Sequence, residues 1–335
     1  MSNQAYVRAH TNIALIKYWG KRDEIDFLPM NSSLSMTLDK LYTDTMVVFD
    51  DSFAQDSFYL NGEKQGEKET KKISKFLDLF REEKKTAMRA RVESINHVPT
   101  AAGLASSASA FAALAGAANL ALGLDLDPQR LSTFARRGSG SATRSIYGGF
   151  VEWDMGTCSD DSFAVPVDDA SWDIGMVIVA VNQKAKEVSS RIGMKRTVET
   201  SPFHSACTTP SKKDIQDITA AIAAKDFIRL GEITEANGMK MHGTMLGAEP
   251  PFSYWEPDSI VAIKTAQTLR KQGIPCYVTM DAGPNVKVLC RLSQAETIKQ
   301  ALLDHFTEDK LIITKPGKGI RELTAAERAV YNWND

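Results

Sequence analysis

The chain of 335 residues lacks several features that would assign it to a common protein class. Its four cysteines and five histidines are scattered and include no C-x-x-C pair, so neither a disulfide framework nor a zinc site is indicated. No apolar stretch reaches the ~18 residues that span a bilayer, and residues 1–10 lack the apolar centre of a signal peptide. We therefore expect a cytoplasmic protein with reduced thiols and no membrane partner.

The chain also lacks the two common nucleotide-binding fingerprints, G-x-x-x-x-G-K-[ST] and G-x-G-x-x-G. It has instead a segment rich in Gly, Ala and Ser at residues 99–109, which leads into an apolar run of small residues at 110–122. Small side chains let backbone N–H groups approach an anion closely, and the positive end of the following helix favours negative charge. The segment predicts a loop that holds the phosphates of a nucleoside triphosphate. The alternative is a buried Ala-rich helix behind a flexible loop.

Charge is nearly balanced overall, with a net value of −2, but it is unevenly distributed. Residues 1–22, 129–147 and 183–196 each carry a net charge of +4, which leaves −14 on the other 280 residues. The overall balance argues against general nucleic-acid binding. If the three segments converge they form a pocket for a small polyanion, and if they scatter they are ordinary solvated faces.

Residue patterns predict strands and helices in the first half of the chain and a mainly helical second half. The predicted strands are 5–10, 46–53, 90–94, 174–181, 275–280 and 286–291, with a hairpin at Asn61-Gly62. The predicted helices are 67–83, 110–122, 128–138, 211–224, 226–246 and 257–272. A second loop of small residues is expected at 138–145. A rigid Gly-Pro turn at 281–285 can hold the side chain of Asp281 toward a cleft.

Five separated blocks carry a resemblance to a known family. Residues 99–107 read PTAAGLASS and are similar to the P-x-x-x-G-L-x-S-S signature of the GHMP small-molecule kinase superfamily. The other blocks are HTNIALIKYWGK at 10–21, NSSLS at 31–35, RGSGS at 137–141 and MDAGPN at 280–285. Together they resemble the diphosphomevalonate decarboxylase family of that superfamily, particularly its Gram-positive bacterial members. The resemblance runs from about residue 5 to 320, and it departs at Ala142-Thr143, where many relatives carry a cysteine before the arginine.

The resemblance implies an α+β, GHMP kinase-like fold of two lobes with a deep cleft between them. Residues 1–185 would form a ribosomal-protein-like α/β lobe with the ATP loop, and residues 186–322 a helix-rich α+β lobe with the catalytic Asp. The tail at 323–335 has no assigned role. The implied reaction uses ATP and Mg²⁺ to phosphorylate the 3-hydroxyl of mevalonate 5-diphosphate, after which phosphate and carbon dioxide leave to give isopentenyl diphosphate. The family is usually homodimeric.

The same resemblance suggests catalytic residues, each of which has an ordinary structural alternative. Asp281 would orient or deprotonate the 3-hydroxyl, although an Asp in such a turn often only bonds backbone. Arg144 would grip the substrate carboxylate with two N–H groups, or else form a salt bridge. Asn12 would fix both of them, or satisfy backbone at a strand end. Lys186 is the candidate for the mobile lysine that assists phosphoryl transfer.

Two further sets of residues would bind the substrates. The set for the diphosphate substrate is Tyr18, Lys21, Ser139, Gly140, Ser141, Ser190 and Arg191. The set for ATP is Ser94, Asn96, Ala102, Gly103, Leu104, Ala105, Ser106 and Ser107, with the Ser106 hydroxyl as a candidate metal ligand. Cationic side chains and loop N–H groups suit phosphoryl transfer, which depends mainly on positioning and charge neutralisation.

Two other functions remain open at this stage. A GHMP kinase that phosphorylates mevalonate or a related hydroxyl without decarboxylation would share the ATP loop and the architecture. A non-catalytic RNA-binding module would share the ribosomal-protein-like lobe and the basic segments, but the net charge and the lack of aromatic and basic stripes argue against it.

Overall fold

Two β-sheets form the centre of the protein in its computed structural model, which describes residues 3–97, 106–182, 187–331 and 333. The strands are β1 (Gln4–Ile16), β2 (Ser33–Asp50), β3 (Ser57–Leu60), β4 (Glu63–Lys64), β5 (Arg89–Asn96), β6 (Phe150–Trp153), β7 (Ala164–Asp168), β8 (Gly175–Val179), β9 (Cys276–Met280), β10 (Val286–Cys290), β11 (Leu311–Thr314) and β12 (Arg321–Glu322). The helices are α1 (Glu67–Lys84), α2 (Ser106–Ala121), α3 (Pro128–Gly138), α4 (Ser190–Thr200), α5 (His204–Thr208), α6 (Ser211–Ala223), α7 (Phe227–Leu246), α8 (Pro257–Lys271), α9 (Ala295–Leu303) and α10 (Ala325–Arg328).

The larger sheet is built on the long antiparallel pair β1 and β2. Its strand order is β12-β1-β2-β5-β3-β4, and β6 and β7 extend it beside the start of β2. The register of β1 against β2 shifts between His10 and Asn12. Such a bulge bends a strand and redirects its side chains. Asn12 follows the bulge and lines a central cavity.

The smaller sheet is antiparallel, with the order β11-β8-β10-β9. Met280 pairs with Val286, so the tight turn between β9 and β10 begins at Asp281. The strand β8 belongs to this sheet although it precedes residue 185. The division into 1–185, 186–322 and 323–335 stays a prediction.

Helices cover both sheets and bury their apolar faces. The Ala-rich helix α2 packs on β1 and β2, and α7 packs on β9 and also contacts β1. At Gly231 in α7, an added Cβ would lie 1.9 Å from the Tyr277 ring, so glycine is what lets α7 approach β9. Among the described residues, none of the helices is long and apolar enough to cross a bilayer.

The α+β class expected from the sequence is confirmed, and two local predictions are wrong. The helix predicted from residue 110 already begins at Ser106, so the serines of the small-residue segment form its first turn. The loop predicted at 138–145 is largely a 3₁₀ helix, Gly140–Ile146. Two hydrogen bonds stabilise the start of that helix. The Ala142 N–H donates to the Ser139 carbonyl at 2.9 Å, and the Thr143 hydroxyl donates to the Gly140 carbonyl at 2.7 Å.

The C-terminal tail packs on the first strand of the chain. The strand β12 pairs with β1 at Val7, and the Leu323 N–H donates to the Tyr6 carbonyl at 2.9 Å. The Tyr331 hydroxyl donates to an Asp44 carboxylate oxygen at 2.5 Å, and the Trp333 ring meets the Tyr6 ring edge-on at 5.4 Å. The last described residues thus pack against β1 and β2 of the larger sheet.

Candidate active site

One cavity of about 400 Å³ receives side chains from both sheets and from all three basic segments. Lys17 and Lys21 come from the first segment, Arg144 from the second and Arg191 from the third. The segments therefore converge, which is the arrangement that suits a small polyanion. We call Lys17, Arg144, Asp281 and Lys287 the buried cluster, and we call Lys21, Lys72 and Arg191 the rim cations.

Asp281 is held by two lysines at the start of the β9–β10 turn. The Lys17 Nζ lies 2.7 Å from one carboxylate oxygen and the Lys287 Nζ lies 3.2 Å from the other. The Asp281 side chain is 29% exposed, so it still reaches the cavity. Burial by itself would raise the pKa of this carboxyl, but the two ammonium groups outweigh burial and hold the pKa well below its usual range. Asp281 is therefore ionised at neutral pH.

Lys17 is a functional candidate that the sequence analysis missed. It follows the apolar end of β1 and is 4% exposed, with its ammonium also donating to the Ala14 carbonyl at 2.7 Å. Its backbone N–H donates to the Asn237 side chain at 2.8 Å, which fixes the strand end against α7. Burial lowers the pKa of Lys17 to about 8, although the Asp281 charge opposes that shift. The available signal was a lysine directly after the apolar run at 13–16.

Lys287 was also missed, because it stands inside the apolar strand β10. It is 3% exposed, and its ammonium donates to the Asn285 carbonyl at 3.3 Å as well as pairing with Asp281. A buried lysine normally needs a charged partner. The signal was a lone lysine in a run of Val, Leu and Cys, six residues after Asp281 and across a tight turn.

Arg144 brings a buried positive charge to the cavity without a carboxylate of its own. Its guanidinium donates to the Ser33 hydroxyl at 2.5 Å and to the Asn12 side-chain oxygen at 3.4 Å. The Asn12 amide is fixed in turn, since it donates to the Ser145 hydroxyl at 2.8 Å and the Ser141 carbonyl at 2.9 Å. Burial lowers the pKa of Arg144 to about 10. Across the described ranges, no carboxylate forms an ion pair with Arg144, so its charge is available to an anionic ligand.

The residues predicted for the diphosphate substrate all line this cavity: Tyr18, Lys21, Ser139, Gly140, Ser141, Ser190 and Arg191. The Ser139 hydroxyl lies 3.3 Å from the Ser141 hydroxyl. A Cβ at Gly140 would lie 2.8 Å from the Tyr18 ring, so glycine is required for that ring to pack here. The Tyr18 hydroxyl is buried with no hydrogen-bond partner among the described residues. Since a buried hydroxyl without a partner is costly, it marks a position where a ligand could accept a hydrogen bond.

The predicted ATP residues are only partly described. Ala102, Gly103, Leu104, Ala105 and the candidate lysine Lys186 lie outside the described residues. Ser106 is described only as the first residue of α2. Ser107 lines the cavity, where its hydroxyl accepts a hydrogen bond from the Ser139 hydroxyl at 3.2 Å.

Ser94 and Asn96 are not among the residues that line the cavity. Both lie on β5, where Ser94 bonds the Thr45 hydroxyl at 2.9 Å and Asn96 accepts from the Thr43 hydroxyl at 2.9 Å. A role for them near adenine stays a prediction. Lys72, on α1, does line the cavity and was missed. Burial and the nearby Arg191 charge lower the pKa of Lys72.

The donors at the cavity suit a metal ion that arrives with a nucleotide. Within the described part of the chain, no group of three or more His, Cys, Asp or Glu side chains is placed to hold a metal. Asp281 supplies a carboxylate at the cavity wall. Both oxygens of that carboxylate already pair with Lys17 and Lys287, so the site fits Mg²⁺ only as an ion carried by a triphosphate, with phosphate oxygens and water as most of its ligands.

Comparison with known proteins matches nearly the whole chain to one family. Residues 9–164 match the diphosphomevalonate decarboxylase-like N-terminal domain. Residues 176–330 match the mevalonate 5-diphosphate decarboxylase C-terminal domain. The diphosphomevalonate decarboxylase of Candida albicans is 37% identical over 321 residues, which covers 90% of this chain and 88% of that protein. The human protein of the same name is 36% identical and covers 84% and 75% respectively.

Solved structures give the same result for the fold. The mevalonate diphosphate decarboxylase of Staphylococcus aureus is 48% identical with a TM-score of 0.94, covering 97% of this chain and 99% of that one. A structure described as MDDEF in complex with MVAPP, AMPPCP and magnesium is 53% identical with a TM-score of 0.91, covering 96% and 99%. The fold of those proteins is therefore present here along almost its entire length.

Proposed function

The chain belongs to the diphosphomevalonate decarboxylase family, and from this premise we propose how its cavity converts mevalonate 5-diphosphate and ATP to isopentenyl diphosphate, ADP, phosphate and carbon dioxide. The family expected from the sequence is confirmed, and so is decarboxylation over the kinase alternative. ATP as co-substrate and Mg²⁺ are supported by the relative that was solved with AMPPCP and magnesium.

The observation that carries the mechanism is the pairing of Asp281 with Lys17 and Lys287 beside an Arg144 that has no carboxylate partner. A substrate with a 3-hydroxyl and a carboxylate on neighbouring carbons can place the hydroxyl at Asp281 and the carboxylate at Arg144. Asn12 bonds Arg144 and fixes its orientation. This arrangement holds the reacting groups in one geometry.

Asp281 acts on the 3-hydroxyl during phosphoryl transfer. Its low pKa keeps it ionised, so it accepts a hydrogen bond from the hydroxyl and aligns the oxygen with the γ-phosphate. A carboxylate with such a low pKa is a weak base, so it takes the proton only as the new P–O bond forms and the hydroxyl becomes acidic. Lys17 and Lys287 hold the carboxylate in place throughout.

Elimination follows once the tertiary oxygen carries the phosphate. The C–O bond breaks, phosphate departs with the electron pair, and positive charge develops at the tertiary carbon. The bond between the carboxylate and its neighbouring carbon then supplies its electrons to form the double bond, and carbon dioxide is released. Cations near the departing phosphate favour this step, and Lys17 and Lys287 supply positive charge beside Asp281, where the 3-oxygen is placed.

Mg²⁺, when bound with ATP, neutralises phosphate charge and orients the γ-phosphate. The Ser106 hydroxyl is the proposed protein ligand, as the sequence predicts. Lys186 and the N–H groups of residues 102–105 are proposed for the ATP phosphates, as the sequence predicts.

The test is to incubate the purified protein with Mg-ATP and mevalonate 5-diphosphate and to follow ADP, inorganic phosphate and carbon dioxide together. Equal release of all three is expected. ADP without carbon dioxide would mean a 3-hydroxyl kinase that lacks the elimination step. No ADP at all would contradict the proposal.

Assembly and location are proposed from the family resemblance and the charge balance. We expect a cytoplasmic homodimer without nucleic-acid or membrane partners. Light scattering on the purified protein measures the mass directly, and a value near 36.8 kDa would contradict the dimer.

A further inference from the structure

The ring of Phe27 contacts two cations at the rim of the cavity. The Lys21 Nζ is 4.0 Å from the ring centroid, and the Arg191 guanidinium carbon is 5.7 Å from it. We propose that Phe27 is a positioning residue that sets Lys21 and Arg191 for the terminal phosphate of the diphosphate substrate. This inference rests on the proposed function, and no step of that reaction uses Phe27 itself.

An aromatic ring suits this task better than a carboxylate would. The face of the ring attracts cations through its quadrupole and leaves their charge uncancelled. The Glu24 carboxylate lies 2.8 Å from the Lys21 Nζ, but its side chain is 62% exposed, so water and salt screen it. Among the residues that the structure describes, no carboxylate forms an ion pair with Arg191. The two cations therefore keep their charge for an incoming anion.

The backbone around Phe27 is held in an uncommon conformation that directs the ring. Its φ is +56°, in the left-handed region that side chains other than glycine rarely adopt. The preceding carbonyl, of Asp26, accepts a hydrogen bond at 2.9 Å from the fully buried Arg136. The next carbonyl, of Leu28, accepts from the Arg22 N–H at 2.9 Å. Strained positions that are fixed on both sides occur often at functional sites.

The neighbouring helix adds to the case for an anion at this point. Arg191 stands in the first turn of α4, whose N-cap Ser189 accepts from the Ile192 N–H. A cation in a first turn is unfavourable by itself, because the helix dipole is positive there. An anion bound between Lys21, Arg191 and this turn would be attracted by both cations and by the helix dipole, and that attraction offsets the cost. The ring of Phe27 keeps both cations near the turn until the anion binds.

The test compares the variants Phe27→Leu and Phe27→Tyr by calorimetric titration. We expect Phe27→Leu to weaken binding of mevalonate 5-diphosphate and of inorganic diphosphate by about tenfold, because two cation–π contacts are lost. Phe27→Tyr retains the ring and should bind within about twofold of the unaltered chain. The KM for ATP should be unchanged in both variants.

A second measurement separates positioning from simple packing. In the Lys21→Met background, Phe27→Leu should weaken diphosphate binding much less than it does in the unaltered chain, because the two residues act together. Thermal unfolding checks that each variant is folded. If Phe27→Leu is unfolded at the assay temperature, Phe27→Met takes its place.

The outcomes distinguish this inference from the function on which it rests. If the unaltered protein neither binds nor converts mevalonate 5-diphosphate, the proposed function fails. If it does both but the Leu variant binds equally well, the role of Phe27 is overturned. A Tyr variant as weak as the Leu variant, an equal rise in the KM for ATP, or full additivity with Lys21→Met would overturn it too.

Discussion

The buried cluster and the rim cations occupy one cavity but are held by different forces. Lys17 and Lys287 converge on a single carboxylate at 2.7 and 3.2 Å. The rim cations instead face the rings of Phe27 and Phe111 and one exposed glutamate. Charges fixed by ion pairs in a buried site are preorganised for reaction, whereas cations held by rings keep their affinity for an added anion. We therefore expect the buried cluster to act on the reacting groups of the substrate and the rim cations to bind its diphosphate.

The strongest test of this division is Asp281→Asn. We expect turnover to fall by about 10³-fold or more, because the amide cannot take the hydroxyl proton. Binding of ATP and of the diphosphate substrate should change only a few-fold, since the rim is intact. Steady-state kinetics and calorimetry measure the two quantities. Turnover within tenfold of the unaltered chain, or loss of ATP binding, would contradict the assignment.

Arg144→Lys should give the next largest effect. Lysine keeps a charge but loses the planar pair of N–H donors that grips a carboxylate, so kcat should fall by roughly 10²-fold. The KM for ATP should stay nearly constant. Arg130→Lys, on the exposed face of α3, is the matched control and should behave like the unaltered chain. If both variants retain full activity, Arg144 does not hold the reacting substrate.

A pH profile tests the cluster through Lys17. Because burial lowers the pKa of Lys17 to about 8, raising the pH through 8 removes its proton and leaves Asp281 with one ammonium partner. The value of kcat/KM should therefore fall as pH rises past about 8. In Lys17→Met this alkaline fall should be absent, and kcat/KM at pH 7 should be about tenfold lower than in the unaltered chain. An unchanged alkaline fall in Lys17→Met would assign it to another group.

Glu24→Gln should give the smallest change. It tests the rim cations, whereas the preceding variants test the buried cluster. Removing the screened carboxylate frees Lys21, so the KM for mevalonate 5-diphosphate should fall by about twofold at most at low salt. The difference should vanish near 0.5 M salt, where such exposed pairs are screened. A rise in the KM would show that Glu24 helps to place Lys21.

The sequence predicts the chemistry-bearing blocks well because short motifs fix both residue type and backbone. Asn12 and Asp281 stand in two of the family blocks, Arg144 lies three residues after a third, and the structure brings all three to one cavity. The hairpin at Asn61-Gly62 also appears, since both residues have the positive φ that such a turn requires. Their catalytic roles stay predictions until variants are measured.

Other parts could not be predicted because they depend on tertiary contacts. Lys287 inside β10 and Lys17 directly after β1 are buried ammonium groups that Asp281 stabilises, and the local sequence pattern does not show this contact. The strand β2 reaches back to residue 33 through the alternating run Ser-Leu-Ser-Met-Thr-Leu, a strand signal that the prediction did not use. Pairing with β1 and β6 holds that conformation. No sequence pattern indicates Phe27, because its proposed role depends on its contacts with Lys21 and Arg191 in the folded protein.

The contact between the tail and β1 has a consequence for how the protein is made. On the ribosome β1 emerges long before β12, the partner of its outer edge, since Arg8 and its partner Arg321 lie 313 residues apart. At the usual rate of synthesis of about 5–20 residues per second, that edge waits for tens of seconds. An uncovered strand edge invites pairing with other chains. The nascent protein therefore exposes this part of the β1 edge for a long interval, which ends when β12 pairs with it and the Leu323 N–H bonds the Tyr6 carbonyl.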